Sequence, residues 1–155
     1  MTNSDTIFNR YSRQIFLEEV GVGGQRAIMN SKVLVIGAGG LGSVVLPYLA
    51  AAGVGHLGVV DFDCVEWHNL NRQIIHQESF VEKSKVDSSV DCLSRLNSSI
   101  EINKYNLRLD ESNIAEILKS YNIVIDCSDN FETRYLVNDT CVKMGKILVY
   151  GSIFA

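Results

Sequence analysis

Residues 33–42 read VLVIGAGGLG, so a short apolar run passes directly into a glycine-rich turn. The run Val33–Ile36 predicts a buried strand, and the residues after the turn predict a helix. The turn Gly37–Gly42 has the G-x-G-x-x-G spacing of a nucleotide-binding loop. Such a loop brings a phosphate to the N–H groups at the start of the helix, where the helix dipole attracts an anion. We therefore expect a nucleotide-binding α/β fold.

The glycines of this turn have separate predicted roles. Gly37 permits the tight turn, and Gly42 lets the helix pack closely against the strand. Gly39 and Gly40 leave room for a phosphate against the backbone. A tight turn without a ligand could contain the same glycines. The strand before the turn, the helix after it and the acid at residue 61 favour a binding site.

Strand and helix patterns alternate along the rest of the chain. Strands are predicted at residues 32–36, 57–62, 100–107, 123–125 and 147–150. Helices are predicted at residues 9–20, 25–29, 40–52, 82–96, 112–119 and 131–144. The alternation predicts a Rossmann-like, mostly parallel sheet with helices on both faces. We expect residues 1–155 to form one nucleotide-binding domain, with residues 1–30 as a helical N-terminal extension.

The composition excludes several classes of partner. The 155 residues carry a net charge of −4, and a weakly acidic chain does not bind nucleic acid through its overall field. The sequence contains no apolar run of about 18 residues, so no membrane span is predicted. The cysteines have neither the C-x-x-C spacing of a zinc site nor a secreted disulfide pattern. The N-terminus lacks an apolar signal sequence, which predicts the cytoplasm, or an organellar matrix or stroma if the gene is organellar.

Two acids end the second predicted strand. Asp61 lies where a ribose-binding acid is expected in a nucleotide fold. Asp63 is two residues further on and faces the same side, where it could orient a neighbouring group. A solvated loop acid is the alternative, and it fits Asp63 better than Asp61.

The loop after this strand and the helix beyond it add amides and cations. The polar residues that can contact phosphate oxygens are Asn69, Asn71, Arg72, Gln73 and Lys85. The guanidinium of Arg72 offers a planar fork of donors, which suits phosphate. Lys85 begins a helix whose N-terminus points to the carboxyl edge of the sheet. An ordinary polar surface loop and a solvated lysine are the alternatives.

Asp129 and Asn130 follow the fourth predicted strand. Ligands bind open α/β sheets where the strand order reverses, which here lies between the first and fourth strands. Topology thus predicts Asp129 beside the glycine turn. A carboxylate facing phosphates needs a cation between them, so Asp129 implies Mg²⁺. Asp129 could instead cap the following helix, and both roles are compatible.

Together these motifs resemble the ThiF/MoeB/HesA family, which is related to the ubiquitin-activating enzymes. The resemblance extends from residue 10 onward and includes Arg10–Gln14 (RYSRQ), Gly37–Gly42, Ala51–Gly55 (AAGVG), Asp61–Asp63, Asn69–Gln73 (NLNRQ), Lys83–Lys85 and Asp126–Asn130 (DCSDN). It implies that ATP and the C-terminal glycine of a ubiquitin-like sulfur-carrier protein react to an acyl-adenylate and pyrophosphate. The attacking carboxylate needs no general base, so the family's chemistry depends on positioning and on cations that stabilise charge.

The resemblance also assigns roles to particular residues. It implies that Gly40 lines the nucleotide site and that Asp61, helped by Lys85, holds the ribose. Asn69, Arg72 and Gln73 would contact the phosphates. Asp129 would hold Mg²⁺ near the α-phosphate. Arg13 would reach into the partner protomer's site in a homodimer, which gives the candidate catalytic set Arg72, Asp129 and Arg13.

Two other functions remain open. Family members continue beyond the fifth strand with a part that carries the groove for the carrier and, in many of them, zinc-binding C-x-x-C pairs. A module that binds nucleotide and dimerises without turnover is therefore one alternative. An NAD-dependent oxidoreductase is the other, and it accounts for the glycine turn and Asp61 but not for Arg72, Lys85 or Asp129. The sequence leaves open whether the carrier serves molybdopterin, thiamine or tRNA thiolation.

Overall fold

A computed structural model describes residues 9–153 and contains one five-stranded sheet, in the order β3-β2-β1-β4-β5. The strands are β1 (Lys32–Ile36), β2 (His56–Asp61), β3 (Glu101–Asn106), β4 (Ile123–Asp126) and β5 (Ile147–Tyr150). All neighbouring strands are parallel. The order reverses between β1 and β4, as the sequence predicted. The Rossmann-like fold class is therefore confirmed.

Six helices surround the sheet within residues 9–153. They are α1 (Ser12–Ile15), α2 (Gly21–Asn30), α3 (Gly42–Ala52), α4 (Lys85–Leu96), α5 (Ile114–Lys119) and α6 (Phe131–Met144). Two short 3₁₀ helices, Trp67–Asn69 and Glu78–Phe80, lie between β2 and α4. In this part of the chain, none of the helices has the length and apolarity needed to cross a bilayer.

The central strand β1 separates two hydrophobic cores. Val33 and Val35 point to one face of the sheet, where side chains of α3 and α4 cover them. Leu34 and Ile36 point to the other face, where α5 and α6 cover them. Since successive strand residues face opposite sides, a strand covered on both sides must be apolar throughout. This requirement explains why the run Val33–Ile36 marks the centre of the sheet.

The N-terminal segment differs from its predicted form. The helix predicted over residues 9–20 is shorter, with α1 followed by turns, and α2 begins at Gly21 rather than Gln25. Gly23 and Gly24 do not break α2, because contacts with the end of α3 hold this helix in place. Gln14 and Gln25 both donate hydrogen bonds to the carbonyl of Ala52 at the end of α3, at 2.8 and 3.1 Å. Residues 1–8 of the predicted extension lie outside the described residues.

Tyr11 anchors this segment to the sheet domain. The side chain is buried and lies against Gly53, at the end of α3. Asn97, directly after α4, donates one hydrogen bond to the Tyr11 hydroxyl at 2.9 Å and another to the Ala50 carbonyl at 2.8 Å. One buried amide therefore connects the N-terminal segment, α3 and the end of α4.

Tyr11→Phe removes the hydroxyl that accepts this hydrogen bond and keeps the ring. We expect the free energy of unfolding to fall by about 1 kcal/mol, the net contribution of a typical buried hydrogen bond. Urea unfolding followed by circular dichroism measures the change. Tyr48→Phe is the matched control, because Tyr48 is 74% exposed and its stability should not change. Equal stability of Tyr11→Phe and the unsubstituted chain would contradict the anchoring role.

Candidate functional site

A cleft of about 580 Å³ opens at the carboxyl ends of β1, β2 and β4. Ten of the residues that the sequence proposed for a nucleotide line it: Gly37, Gly39, Gly40, Asp61, Asp63, Arg72, Gln73, Lys85, Asp129 and Asn130. The cleft lies at the point where the strand order reverses, which is the usual ligand position in open α/β sheets. The topology thus brings together polar residues that are up to 93 positions apart in the sequence, from Gly37 to Asn130.

The glycine turn forms one wall of the cleft. Gly37 has a φ of +94°, and a Cβ at this position would lie 2.9 Å from the carbonyl oxygen of Cys127. A Cβ on Gly42 would lie 1.9 Å from the carbonyl oxygen of Gly37. Any other residue at either position would force the backbone apart. Helix α3 begins at Gly42, and the N–H groups of Ser43 and Val44 are bonded to the carbonyls of Gly39 and Leu41, at 2.8 and 3.1 Å.

Asp61 stabilises the turn as well as lining the cleft. Its Oδ2 accepts a hydrogen bond from the N–H of Ala38 at 2.8 Å. Its Oδ1 accepts one from the N–H of Asp63 at 2.9 Å. Each carboxylate oxygen can accept more than one hydrogen bond, so both remain able to bind ribose hydroxyls.

Lys85 and Asp63 form an ion pair at the side of the cleft. The Lys85 Nζ donates to Asp63 Oδ2 at 2.8 Å, and the lysine side chain is only 8% exposed. A lysine is almost never this buried without a partner. Helix α4 begins at Lys85, three residues after the predicted start at residue 82, and the Ser84 side chain caps the helix by accepting from Val86 N at 3.1 Å. The cap fixes the position from which the ammonium group reaches the cleft.

The loop after β2 contributes two of its four candidate residues to the cleft. Gln73 is 5% exposed, lies beside Gly39, and its Oε1 has no hydrogen-bond partner among residues 9–153. Arg72 is exposed and donates to the carbonyl of His68 at 2.8 Å and to Asn71 Oδ1 at 3.0 Å. The backbone of this loop thus presents a guanidinium and a buried amide to the same space.

Asn69 and Asn71 do not line the cleft. Asn69 is buried, and its Oδ1 accepts from the N–H of Glu66 at 3.1 Å, which closes the 3₁₀ turn. The Asn71 oxygen accepts a hydrogen bond from Arg72.

Gly42 also lies outside the lining of the cleft, because it serves the packing of α3 on the turn. Arg13 lies exposed on α1 and does not reach the cleft of its own chain.

In the segment after β4, one residue caps the next helix and its neighbours face the cleft. Asn130, rather than Asp129, caps α6, since its Oδ1 accepts from Thr133 N at 2.9 Å. Asp129 lies exposed in the cleft, and within residues 9–153 no side chain donates a hydrogen bond to its carboxylate. Ser128 also lines the cleft, and its buried hydroxyl has no hydrogen-bond partner in the described part of the chain. Ser128 was missed as a site residue, although it lies inside the DCSDN motif.

An apolar end of the cleft was not anticipated from the sequence. Phe62, Leu107 and Leu109 line it. The Arg108 guanidinium lies 5.8 Å from the centre of the Phe62 ring and donates to Glu132 at 2.8 Å. Arg108 follows β3 and Glu132 lies in the first turn of α6, so this pair connects residues on opposite sides of β1 and β2. No local pattern in the sequence marks a contact of this kind.

Cys127 is the cysteine that lines the cleft. Burial, assisted by the charge of Asp126, raises the pKa of its thiol to about 11. The thiol therefore stays protonated at neutral pH and is a poor nucleophile. All four cysteines are free, and the described residues contain no group of three His, Cys, Asp or Glu that could hold a metal ion.

The chain is similar to several known proteins. The adenylyltransferase and sulfurtransferase MOCS3 of Culex quinquefasciatus is 53% identical over 143 residues, covering 92% of this chain and 33% of that protein. The probable adenylyltransferase/sulfurtransferase MoeZ of Mycobacterium tuberculosis is 50% identical over 145 residues, covering 94% of this chain and 37% of that protein. This chain thus spans about a third of the length of the curated relatives it matches.

Among solved structures, E. coli MccB with ATP matches at 28% identity and a TM-score of 0.79, covering 93% of this chain and 44% of that chain. The family model of the ThiF family matches residues 11–155. This match includes the glycine turn and every polar group that lines the cleft. The chain therefore belongs to the ThiF family.

Proposed function

We propose that the chain binds ATP with Mg²⁺ in the cleft and adenylates the C-terminal glycine of a ubiquitin-like sulfur-carrier protein. The observation that carries the proposal is the meeting of Asp61, Lys85 and Arg72 beside the glycine turn. The carboxylate of Asp61 would bind the ribose and the two cations would bind the phosphates, which together suit a nucleoside triphosphate. Relatives named adenylyltransferase and the MccB structure with ATP support this proposal.

Two unpartnered polar atoms of the cleft fit a nucleotide ligand. Gln73 and Ser128 are buried and line the cleft, and within residues 9–153 neither Gln73 Oε1 nor Ser128 Oγ has a hydrogen-bond partner. An amide or hydroxyl buried without a hydrogen bond costs free energy, which a ligand that supplies the missing partner recovers. The Ser128 O–H and the Gln73 amide N–H can donate to phosphate oxygens, whereas Gln73 Oε1 is an acceptor and needs a donor such as a ribose hydroxyl.

Asp129 is the residue that would hold Mg²⁺. Its carboxylate is exposed in the cleft, and carboxylate oxygen is a preferred ligand of Mg²⁺, which also binds the phosphates of its substrate. When bound, Mg²⁺ neutralises charge on the phosphates. The single carboxylate agrees with a cation held mainly by the nucleotide and water.

The residues of the cleft would act by positioning and by charge. Asp61 holds the ribose hydroxyls, while the N–H groups of the glycine turn and the Arg72 guanidinium contact the phosphates. The carboxylate of the carrier attacks the α-phosphate, an acyl-adenylate forms and pyrophosphate leaves. Negative charge increases on the phosphate oxygens during this step, and fixed cations in a partly buried cleft stabilise it. We assign this role to Lys85 and Arg72, which line the cleft together with two further cations, Arg108 and Arg134.

Arg13 fits a role outside the cleft of its own chain. It is exposed on α1, and its side chain is therefore available to a second protomer. We propose a homodimer in which Arg13 completes the partner's site. For Asn69 and Asn71 we propose an indirect role, in which their side chains shape the loop that presents Arg72.

The deciding experiment is ATP–pyrophosphate exchange with a purified ubiquitin-like carrier that ends in glycine. Exchange that requires both the carrier and Mg²⁺ would support the proposal. ATP binding in calorimetry without exchange would assign the chain as a nucleotide-binding module. A thermal shift with NAD and none with ATP–Mg²⁺ would overturn the proposal and favour an oxidoreductase.

Arg72→Ala and Asp129→Ala should each lower the exchange rate at least about a hundredfold, the usual effect of removing one group that stabilises transition-state charge. Both side chains are exposed, so the free energy of unfolding should stay unchanged. Arg95→Ala and Asp139→Ala are the matched controls, because both residues are exposed and lie outside the cleft. Unchanged exchange rates in Arg72→Ala and Asp129→Ala would refute the assignment of these two residues.

Lys85→Met should raise the Kd for ATP by about tenfold to a hundredfold, which is the range expected for loss of a charged hydrogen bond. Methionine keeps most of the apolar stem but has no ammonium group. Calorimetry at constant ionic strength measures the Kd. Lys83→Met is the control, because the Lys83 amine binds the carbonyl of Ser79 and lies outside the cleft. Equal affinities in the two variants would contradict a role for the Lys85 charge.

A further inference from the structure

His76 is a buried titratable group that the proposed chemistry does not use. It is 6% exposed and lies behind the glycine turn rather than in the cleft. Its Nε2 is 2.9 Å from the carbonyl oxygen of Ala38, and its Nδ1 is 3.0 Å from the Ser88 Oγ. Both ring nitrogens therefore have a partner, one in the turn and the other in α4.

The partners determine the protonation state of the ring. A carbonyl oxygen can only accept, so the Nε2 of His76 carries a proton and donates to Ala38. Nδ1 is then an acceptor in the neutral ring, and the Ser88 hydroxyl donates to it. A second proton on the ring would turn Nδ1 into a donor, so the hydrogen bond with Ser88 would reverse and a charge would lie in a buried site.

The Ala38 peptide groups are held from both sides. The N–H of Ala38 donates to Asp61 and its C=O accepts from His76. The neighbours Gly37 and Gly39 restrict the backbone very little, because glycine has few steric limits on φ and ψ. The conformation of the turn must therefore be imposed by tertiary contacts. Asp61 and His76 supply two of them at the same residue.

The other end of this connection reaches the helix that carries Lys85. Ser88 follows Lys85 by three positions on α4, so both side chains lie on the same face of that helix. The hydrogen bonds Ser88–His76–Ala38–Asp61 thus run from α4 through the turn to β2. The ion pair between Lys85 and Asp63 is a second connection between α4 and the end of β2, because Asp63 lies two residues after Asp61.

We propose that His76 is a positioning residue, which holds the glycine turn and the Lys85 helix in the arrangement that binds nucleotide. The inference rests on the proposed nucleotide site and adds to it a residue that never touches the ligand. Neutral imidazole is the form that suits this role, since it donates to Ala38 and accepts from Ser88 without placing a charge in a buried site.

The electrostatic surroundings favour the neutral ring. Burial lowers the pKa of His76, and the positive charge of Lys85 on α4 lowers it further. The Ala38 carbonyl and the charge of Asp61 on β2 oppose this change but do not cancel it. Because the folded-state pKa lies below the unfolded value of 6.5, the stabilisation is complete above about pH 6.5. It is lost as the pH falls through the folded-state pKa.

His76→Leu and His76→Gln separate positioning from simple packing. Leucine fills similar space but leaves the Ala38 carbonyl without its donor, whereas the glutamine amide can still donate to it. We expect His76→Leu to raise the Kd for ATP about tenfold, and His76→Gln to stay within about threefold of the unsubstituted chain. Amide resonances of Gly39 and Gly40, recorded without nucleotide, should shift in His76→Leu and much less in His76→Gln.

A folded His76→Leu variant with the original Kd and the original Gly39 and Gly40 resonances would overturn the proposal. If this variant does not fold, Ser88→Ala replaces it, because that change removes only the donor to Nδ1. Ser88→Ala should shift the same glycine resonances, and an unchanged spectrum would equally overturn the proposal. If the unsubstituted chain fails to bind ATP, the proposed function fails, while the resonances of the ligand-free chain still test the positioning role.

The pH dependence of unfolding supplies a readout that packing alone would not change. The unsubstituted chain should lose stability below about pH 6.5, and His76→Gln should lose less over the same range. Urea unfolding at pH 5.0, 6.0, 7.0 and 8.0 (values near the pKa of histidine, about 6.5) measures the difference. Identical pH profiles of the two proteins would contradict the requirement for a neutral ring.

Discussion

The cleft depends on a close approach of backbone to backbone at the end of β1. Gly42 packs so tightly on Gly37 that a Cβ would lie 1.9 Å from the Gly37 carbonyl oxygen, and a Cβ on Gly37 would lie 2.9 Å from that of Cys127. The turn, the start of α3 and the segment after β4 therefore share one small region. Because parallel strands end at a common edge, the acids after β2 and the polar residues after β4 border the same space.

Some of the charge in the cleft is paired within the protein before any ligand binds. Asp63 neutralises buried Lys85, and Asp61 accepts hydrogen bonds from two backbone N–H groups. Arg72 is less confined, because its guanidinium is exposed and bound only to a carbonyl and an amide oxygen. This arrangement combines a part held by internal contacts, which includes the turn and Asp61, with an exposed cation. Gln73 and Ser128 also line the cleft, and each has a side-chain oxygen without a partner within residues 9–153.

The sheet could be predicted because local sequence determines it. A strand covered on both faces needs an uninterrupted apolar run, and Val33–Ile36 and Ile123–Ile125 supply such runs. The N-terminal helices were less predictable, since α2 contains glycines at positions 23 and 24 and is held by contacts with the end of α3. The loop after β2 shows the same limit. Nothing in the sequence distinguishes Asn69, which closes a turn, from Arg72, which faces the cleft.

By itself the sequence determined the order of the elements, the nucleotide turn and the resemblance to the ThiF family. These follow from the period of apolar residues, from the spacing of glycines and from motifs in a fixed order. Only the tertiary structure decided which polar side chains meet. His76 reaches Ala38 across 38 positions and Arg108 reaches Glu132 across 24, and each pair joins segments that come together only when helices pack on the sheet. The free energy of such pairs depends on distance and burial, and neither is encoded in any local pattern.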